Sequence, residues 1–419
     1  MGRSLCDWPS RSNRIGEIMQ FHQSLSCPES SGLIIVPYIH TSWIPMLSPS
    51  RISFKDSYIT SLSGKGWHVA SFDQYSLDVD LSDSPKRILN HIKDFQHIMG
   101  CLFPWLKPGK IGSYASGLAG SAAKRTRPQF QRRPEIEAHK AFFGGRSEIF
   151  EPDGQGHLVE YDLPRSYPME ALKPLPVDAP FFVPANSNPS DGFTDICKIR
   201  LVFHNDVGPL PIRTEKELTF PKEGKIQAWY WLEEINQILE YCETIRDFQI
   251  LERIRVRTDN ILEETMQTLI VSRKRYPQHE KSFKHIANSI IGFFAYKGRT
   301  KKVFYDHVGN KLKAGDCLLC PELRLWGRAI PNKKAPHTYR PMISSLIWAR
   351  ARAKLFKALC TTENPVSCHI DGVTAHKQTV LPLGTIQKKD YGMVNFKCPW
   401  RGALLVDNKR IRLPGKRKG

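Results

Sequence analysis

Asp162 is a carboxylate at the predicted end of a β-strand, a position suited to metal chemistry. The preceding run 158–161 is mostly apolar and rich in β-forming residues, and Pro164 and Pro168 then prevent the strand from continuing. A carboxylate on a rigid strand, with the backbone turning away behind it, can hold a metal ion. The alternative role for an isolated aspartate at this position is to cap the turn that follows.

Asp371 is a second carboxylate at a predicted strand end. Two β-like runs, 366–370 and 373–375, meet at Asp371-Gly372, and this dipeptide favours a hairpin because both residues accept positive φ. Period-two alternation along the first run places His369 on the same face as Asp371. The pattern therefore predicts that Asp371 lies at a hairpin tip.

A predicted helix over 279–296 carries basic and polar side chains that suit an anionic ligand. Its apolar residues recur at spacings of three and four, and Lys284 and Asn288 lie in a row beside this stripe. Arg273 begins the basic run 273–275 just upstream. Together the helix and the run are able to clamp a triphosphate, whereas the alternative is a solvated basic face.

Phe142 and Phe143 lead into Gly144, Gly145 and Arg146. Glycines allow another backbone to approach closely, and the arginine is long enough to reach a phosphate. An ordinary hairpin turn is the alternative interpretation of the two glycines.

The elements that must position these residues alternate between strands and helices. The segment 32–57 predicts two strands of an α/β layer, and helical periodicity marks 88–103, 229–241 and 341–359, the last with its basic side chains mostly outward. The Gly-, Ser- and Ala-rich segment 109–127 predicts a linker or a phosphate-contacting loop.

The composition favours a polyanionic partner. Lys and Arg number 61 against 41 Asp and Glu, which gives a formal net charge of +20, and nucleic acid fits this balance best. We find no apolar run of the roughly 18 residues that a membrane helix needs, and no signal-peptide core, so we expect an intracellular protein without a membrane partner. Among ten cysteines, only Cys317 and Cys320 have metal-ligand spacing. Without a second such pair, zinc is the minor alternative.

The order of these features resembles the family B DNA polymerases, and within them the protein-primed branch of some phages, adenoviruses and linear mitochondrial plasmids. Residues 162–168 are similar to motif A (Asp-x-x-Ser-Leu-Tyr-Pro), 284–292 to motif B, and 369–371 to motif C. Phe142 to Gly145 resembles the Tyr-x-Gly-Gly element that contacts the template strand. Lys397 occupies the place of the primer-contacting Lys-x-Tyr motif.

The resemblance implies an α/β (α+β) fold: a right-hand polymerase palm and fingers, with a degenerate N-terminal exonuclease-like domain and most of the thumb missing. The boundaries that it implies follow in chain order: exonuclease-like domain 1–133, palm 134–172, first insertion 173–260, fingers 261–297, second insertion 298–337, palm 338–396, and the start of a thumb or a basic tail at 397–419.

The resemblance also implies the activity, that of a DNA-directed DNA polymerase acting through two Mg²⁺ ions, for which Mn²⁺ is a substitute. By position in the motifs, the metal ligands are Asp162, Asp371 and the Leu163 carbonyl, with both aspartates catalytic. The implied nucleotide-binding residues are Leu163, Tyr167, Arg273, Lys284 and Asn288. The implied DNA-binding residues are Phe142, Gly144, Gly145, Arg146 and Lys397. The expected partners are template and primer DNA, deoxynucleoside triphosphates and a terminal priming protein, in the host cell of a virus or phage or in a mitochondrion.

Several residues depart from the family pattern. His369 replaces the first acid of motif C, so the site has one carboxylate fewer, and Ile291 replaces the tyrosine of motif B. Of the proofreading acids only Asp94 has a counterpart, which predicts an inactive exonuclease because metal-assisted hydrolysis needs more than one ligand. These departures leave two alternatives: a catalytically impaired nucleic-acid-binding remnant, and a zinc-dependent nuclease or recombinase built on Cys317 and Cys320.

Overall fold

The computed structural model describes part of the chain. Its backbone is described at residues 33–36, 68–71, 85–109, 111–127, 132–214, 218–297, 301–306, 317–320, 325–330, 335–400, 403–406 and 409–411. Side chains are described within 90–109, 111–127, 132–214, 218–297 and 335–397. The strand predicted within 52–57 and the side chains of Cys317 and Cys320 lie outside the described residues.

Eight α-helices occur in the described residues. In chain order they are α1 (Pro85–Leu102), α2 (Ile111–Lys124), α3 (Arg133–Ala138), α4 (Ser166–Glu170), α5 (Leu232–Tyr241), α6 (Glu263–Arg275), α7 (Glu280–Ala295) and α8 (Pro341–Cys360). The helices predicted over 88–103, 279–296 and 341–359 are confirmed as α1, α7 and α8. The helix predicted over 229–241 begins only at Leu232, because the residues before it continue a strand.

The described residues also form β-strands. Those up to residue 204 are β1 (Leu33–Val36), β2 (His68–Ser71), β3 (Ser147–Ile149), β4 (Asp153–Asp162), β5 (Leu175–Pro176), β6 (Phe181–Val183) and β7 (Phe193–His204). Those up to residue 330 are β8 (Ile212–Arg213), β9 (Leu218–Thr219), β10 (Glu223–Trp231), β11 (Thr244–Asp259), β12 (Lys301–Asp306), β13 (Cys317–Cys320) and β14 (Leu325–Ile330). The remainder are β15 (Pro365–His369), β16 (Gly372–His376), β17 (Ile386–Trp400), β18 (Ala403–Val406) and β19 (Lys409–Ile411).

The chain divides into two compact units. The first comprises the chain up to Leu118 with Thr268–Ile290 and Tyr296–Pro336, and the second comprises Ala119–Gln267, Ile291–Ala295 and His337–Gly419. In the first unit, α1 and α7 contribute buried apolar side chains, and the rings of Phe95 and Phe283 meet edge to face with centroids 5.4 Å apart. Asp94, the residue that resembles a proofreading acid, accepts a 2.8 Å hydrogen bond from Nε2 of the buried His279.

A seven-stranded antiparallel sheet organises the second unit. Its strand order is β19-β18-β17-β4-β16-β15-β3. Alternation along β4 sends Val159 and Tyr161 into a core that also contains Leu355 and Phe356 of α8. The residues that alternate with them along β4, including Asp162, lie on the opposite face of the sheet. The strand end predicted at Asp162 is confirmed.

A second sheet in the same unit has the order β10-β7-β11-β5, with β6 paired to β11. Its long strands β7 and β11 keep an antiparallel register interrupted at two points. Helix α5 follows β10 directly and packs against α8 through the shared core. This sheet and helix occupy the segment 173–260, which the resemblance assigns to the first insertion.

The segment 109–127 was predicted to be a linker or loop, and this prediction is wrong, because α2 covers most of it. Ile111, Tyr114, Ala115 and Leu118 are all buried and recur at helical spacing. The glycines and serines between them do not prevent the helix, because burial of this stripe outweighs their weak helical propensity.

Within the described helices, none combines the length and apolar character that crossing a bilayer requires.

Candidate active site

The two candidate aspartates meet at one end of the seven-stranded sheet. Asp162, the last residue of β4, lies opposite Gly372, the first residue of β16. The backbone N–H of Leu163 donates a 2.7 Å hydrogen bond to the carbonyl of Asp371. The backbones of the two aspartates therefore lie at the same end of the sheet, and the charges of both carboxylates act on Lys388 nearby.

The hairpin that presents Asp371 is confirmed, but its turn differs from the one predicted. The residue with positive φ is Ile370, at 60°, and neither Asp371 nor Gly372 has one. The Asp371 N–H donates to the carbonyl of His369 at 2.7 Å, which tightens the turn around Ile370. A β-branched residue in this region is a conformational outlier, so the hairpin holds local strain next to the candidate catalytic carboxylate.

The Gly-Gly element, residues 142–146, contacts this turn. The N–H of Ile370 donates to the carbonyl of Arg146 at 2.7 Å. A Cβ placed on Gly145 would lie 2.9 Å from Tyr167 Oη and 3.5 Å from Ile370 Cγ1, whereas a Cβ on Gly144 would meet nothing within 4 Å. A side chain at position 145 would therefore force the Tyr167 hydroxyl to shift, whereas its contact with Ile370 would be ordinary.

Arg146 was predicted to reach a DNA phosphate, and the structure contradicts this. Its side chain is 1% exposed and forms an ion pair with Glu148. The guanidinium stacks on Phe220, with its carbon 4.4 Å from the ring centroid. Phe142 is half-buried, and its ring lies 5.2 Å from that of Trp348. In this structure the segment 142–146 contacts the hairpin that carries Asp371 through the bond from Ile370 to Arg146.

Tyr167 lies close to Asp371. It belongs to the short helix α4, which begins after Arg165 in a left-handed conformation with φ 53°. Burial, followed by the negative charge of Asp371, raises the pKa of the Tyr167 hydroxyl well above its ordinary value, while the charge of Arg352 opposes this shift. The hydroxyl is thus neutral at physiological pH and lies near Asp371.

Lys388 and Glu160 belong to the same cluster and were missed in the sequence. Lys388 Nζ lies 2.9 Å from Glu160 Oε1 and 3.8 Å from Asp162 Oδ1. Partial burial lowers the pKa of Lys388, but the hydrogen bond and charge of Glu160, then the charges of Asp162 and Asp371, raise it overall. Tyr391 Oη donates to the second oxygen of Glu160 at 2.8 Å.

A sequence signal for this region was present. Lys389-Asp390-Tyr391 has the Lys-x-Tyr spacing that the resemblance assigned to the segment beginning at Lys397. Lys397 pairs with Asp153 at the opposite end of β4, which puts it about 30 Å from Asp162 at the rise of a β-strand. The structure does not bring Lys397 to the carboxylates.

Three predicted nucleotide-binding residues lie in the first unit. Lys284 and Asn288 are exposed on α7, as the apolar stripe predicted. Arg273 is less available, because its guanidinium forms an ion pair with Glu280 at 2.7 Å and its side chain is mostly buried. Their roles in nucleotide binding stay predictions.

Two arginines of α8 were predicted to point outward, and both are buried. Arg352 makes two 2.8 Å hydrogen bonds to the carboxylate of Glu234 on α5 and donates to the carbonyls of Phe143 and Gly144. Arg350 similarly binds the carboxylate of Glu233. These pairs join α8 to α5, and Arg352 also fixes the Gly-Gly element under Tyr167.

The donor set at the aspartates fits a hard divalent cation that arrives with its substrate. Carboxylate and carbonyl oxygens are the ligands of Mg²⁺, which is commonly held by one or two carboxylates together with substrate phosphates. No group of three or more His, Cys, Asp or Glu side chains suited to a metal occurs in the described part of the chain. Asp162 and Asp371 supply carboxylate oxygens, which are the kind of ligand that Mg²⁺ takes.

Comparison with known proteins identifies the fold. No protein-family model and no curated protein matches the sequence. Among solved structures, phi29 DNA polymerase complexed with primer-template DNA and incoming nucleotides superimposes with a TM-score of 0.57 at 15% identity, covering 74% of this chain and 58% of that chain. Its orthorhombic crystal form gives a TM-score of 0.59 at 16% identity, covering 81% and 67%.

The match to phi29 DNA polymerase in its post-translocation complex with primer-template DNA has a TM-score of 0.58 at 16% identity, covering 81% of this chain and 66% of that one. The chain thus spans 58% to 67% of the length of these polymerase chains. It has the mixed α/β fold of phi29 DNA polymerase, which confirms the polymerase fold that the motifs predicted.

Proposed function

We propose that this protein binds primer–template DNA and deoxynucleoside triphosphates and catalyses template-directed deoxynucleotidyl transfer. The observation that carries the proposal is the pairing of β4 with β16, which brings Asp162 and Asp371 to the same end of one sheet. A formal charge of +20 supports a polyanionic partner. Protein priming by a terminal protein, in the replication of a linear viral or plasmid genome inside a host cell, is the part of the proposal that rests on the motif resemblance.

Asp162, Asp371 and the carbonyl of Leu163 are the groups that hold the divalent ions in this proposal. When bound, such ions favour the ionised primer 3′-hydroxyl and neutralise the charge of the triphosphate. The protein contributes placement: the pairing of β4 with the hairpin holds the backbones of both aspartates at the same end of the sheet. Mg²⁺ is the expected ion, with Mn²⁺ as a substitute.

Tyr167 packs under the sugar of the incoming nucleotide and excludes a 2′-hydroxyl in this proposal. Its hydroxyl lies beside Gly145, where even a methyl group would displace it. Lys284 neutralises the triphosphate and Asn288 assists it, as motif B implies. Arg273 adds a basic side chain upstream of that motif, and its role rests on the basic run 273–275.

A primer-extension assay tests the proposal. With Mg²⁺, a labelled primer and a defined template, we expect incorporation of the complementary nucleotide alone. Asp162→Asn and Asp371→Asn should each lower the rate by at least about a hundredfold, the loss seen when a group that stabilises transition-state charge is removed. Asp153→Asn is the matched control, because it removes the same charge from the exposed far end of β4. Undiminished extension by Asp371→Asn would overturn the mechanism.

A second candidate function is DNA binding without catalysis. His369 stands where motif C has its first acid, and Lys388 forms an ion pair with Asp162, so the site carries less negative charge than the motif prescribes. DNA binding that weakens steeply with salt, without incorporation in either Mg²⁺ or Mn²⁺, would favour this function.

A further inference from the structure

The strand β17 contains an irregularity beside the candidate carboxylates. Ile386 lies opposite Asp162 and Gln387 opposite Tyr161, but the next residue opposite β4 is Lys389, which faces Glu160. Lys388 is thus an extra residue in β17 with no partner of its own in the register. Such a bulge redirects a side chain away from the regular alternation. Here it delivers a lysine to the carboxylate end of the sheet.

Glu160 forms a fixed receptor for the lysine ammonium. It precedes Asp162 by two residues, so both side chains lie on the same face of β4. One oxygen of its carboxylate accepts from Tyr391 Oη at 2.8 Å and the other binds Lys388 Nζ at 2.9 Å. The Glu160 side chain is only 18% exposed, so its neighbours leave it little freedom to move.

The lysine itself is easy to move. Its side chain is 52% exposed, and its ammonium is 3.8 Å from Asp162 Oδ1, longer than its contact with Glu160. Exposed ion pairs contribute at most about 1 kcal/mol because water and salt screen them. The Nζ atom therefore lies within reach of both carboxylates, and little energy holds it near Asp162.

We infer that Lys388 is a resident counter-ion of the Asp162–Asp371 pair and competes with divalent cations for it. This inference rests on the proposed function, which assigns a metal site to the two aspartates. Without a metal, the ammonium offsets the repulsion between neighbouring carboxylates. When a divalent ion binds, Lys388 gives up Asp162 and keeps Glu160, and the repulsion between the two cations weakens metal binding.

Titration of the protein with Mn²⁺, read from the electron paramagnetic resonance of the free ion, tests this inference without DNA, nucleotide or turnover. Lys388→Met should bind Mn²⁺ about tenfold more tightly, the order expected for removing one positive charge a few ångströms from a divalent ion in a partly aqueous site. Lys388→Arg keeps the charge and should stay within about twofold of the wild type.

Lys397→Met is the matched control, because it removes the same charge from the far end of the same strand and should leave the affinity unchanged. Asp371→Asn separates the two ideas. If this substitution weakens Mn²⁺ binding while Lys388→Met leaves it unchanged or weaker, the counter-ion role is overturned and the metal site stands. If Asp371→Asn has no effect in either the wild-type or the Lys388→Met background, the metal site and the counter-ion role both fall.

Discussion

Two ion-pair systems of the second unit differ in what surrounds them. Arg352 and Glu234 join α8 to α5 with both side chains 2% exposed, and the guanidinium contacts both carboxylate oxygens. Lys388 reaches Glu160 and Asp162 with its own side chain 52% exposed. The Arg352–Glu234 pair is shielded from water and bidentate, whereas the Lys388 contacts are exposed to water and are made by a flexible side chain.

The difference in exposure suits the two ion-pair systems to different roles, one in holding the fold and one in accepting a ligand. Removing one partner of a buried pair strands a charge in the interior, so such a pair cannot open without large cost. An exposed lysine exchanges partners freely. The buried arginine therefore determines where the Gly-Gly element lies, and the exposed lysine is suited to a site that must accept a cation.

The largest expected effect is on the buried pair. Glu234→Gln leaves the Arg352 guanidinium without its counter-charge, and we expect the free energy of unfolding to fall by about 3–5 kcal/mol. Urea denaturation followed by circular dichroism measures it. Glu252→Gln is the matched control, because Glu252 and its partner Lys198 are 33% and 30% exposed and the loss should be smaller. An equal or larger loss for Glu252→Gln would contradict the distinction between buried and exposed pairs.

Gly145 tests the element that the buried pair holds in place. Gly145→Ala forces its methyl group against the Tyr167 hydroxyl, 2.9 Å away, and overpacking of this kind costs about 1–3 kcal/mol. We also expect a raised KM for the nucleotide, because the ring must shift. Gly144→Ala meets nothing within 4 Å and should leave the KM unchanged. Equal effects of the two substitutions would exclude the packing argument.

Substitutions of Ile370 should have a smaller effect on the free energy of unfolding, and the order of the glycine and alanine variants tests whether the turn is strained. At φ 60°, a side chain costs about 1–2 kcal/mol that glycine avoids, so Ile370→Gly should be more stable than Ile370→Ala. In an ordinary strand the order is reversed, because glycine loses more entropy on folding. Ala375→Gly in β16 is the control for that reversed order. An Ile370→Ala variant more stable than Ile370→Gly would mean that the turn is unstrained.

The smallest expected effect on stability is that of Lys388. Lys388→Met should change the free energy of unfolding by less than about 1 kcal/mol, as for exposed ion pairs in general. The same urea denaturation checks it against Glu234→Gln. A loss comparable to that of Glu234→Gln would show that the lysine is structural and would remove the contrast with Arg352.

Local periodicity predicted the elements but not their partners. The sequence predicted the apolar faces of α1, α7 and α8 and the strand end at Asp162, because each of these features depends on residues that are close in sequence. Burial of Arg352 was not, because its partner Glu234 lies 118 residues away. Arg146 was assigned to DNA for a similar reason: Glu148 is close in sequence, but the Phe220 ring on which its guanidinium stacks is far away along the chain.

The hairpin at Asp371 shows the same limit at finer scale. The Asp-Gly dipeptide located the turn, but the tertiary bond from the Ile370 N–H to the Arg146 carbonyl decides which residue takes positive φ. The bulge at Lys388 likewise follows from the register of β17 on β4. The positive φ at Ile370 and the bulge at Lys388 both depend on contacts between segments that are distant in sequence, so alternation within one strand does not predict them.

Localised cleavage by bound iron tests the central claim most directly, because it reports where a divalent ion sits. With Fe²⁺ in place of Mg²⁺, and with ascorbate and peroxide, hydroxyl radicals cut the backbone next to the ion. We predict cuts beside Asp162 and Asp371 together, suppressed by excess Mg²⁺ and lost in both Asp162→Asn and Asp371→Asn. Cuts elsewhere, or cuts that persist in the two variants, would contradict a shared metal site at the end of β4.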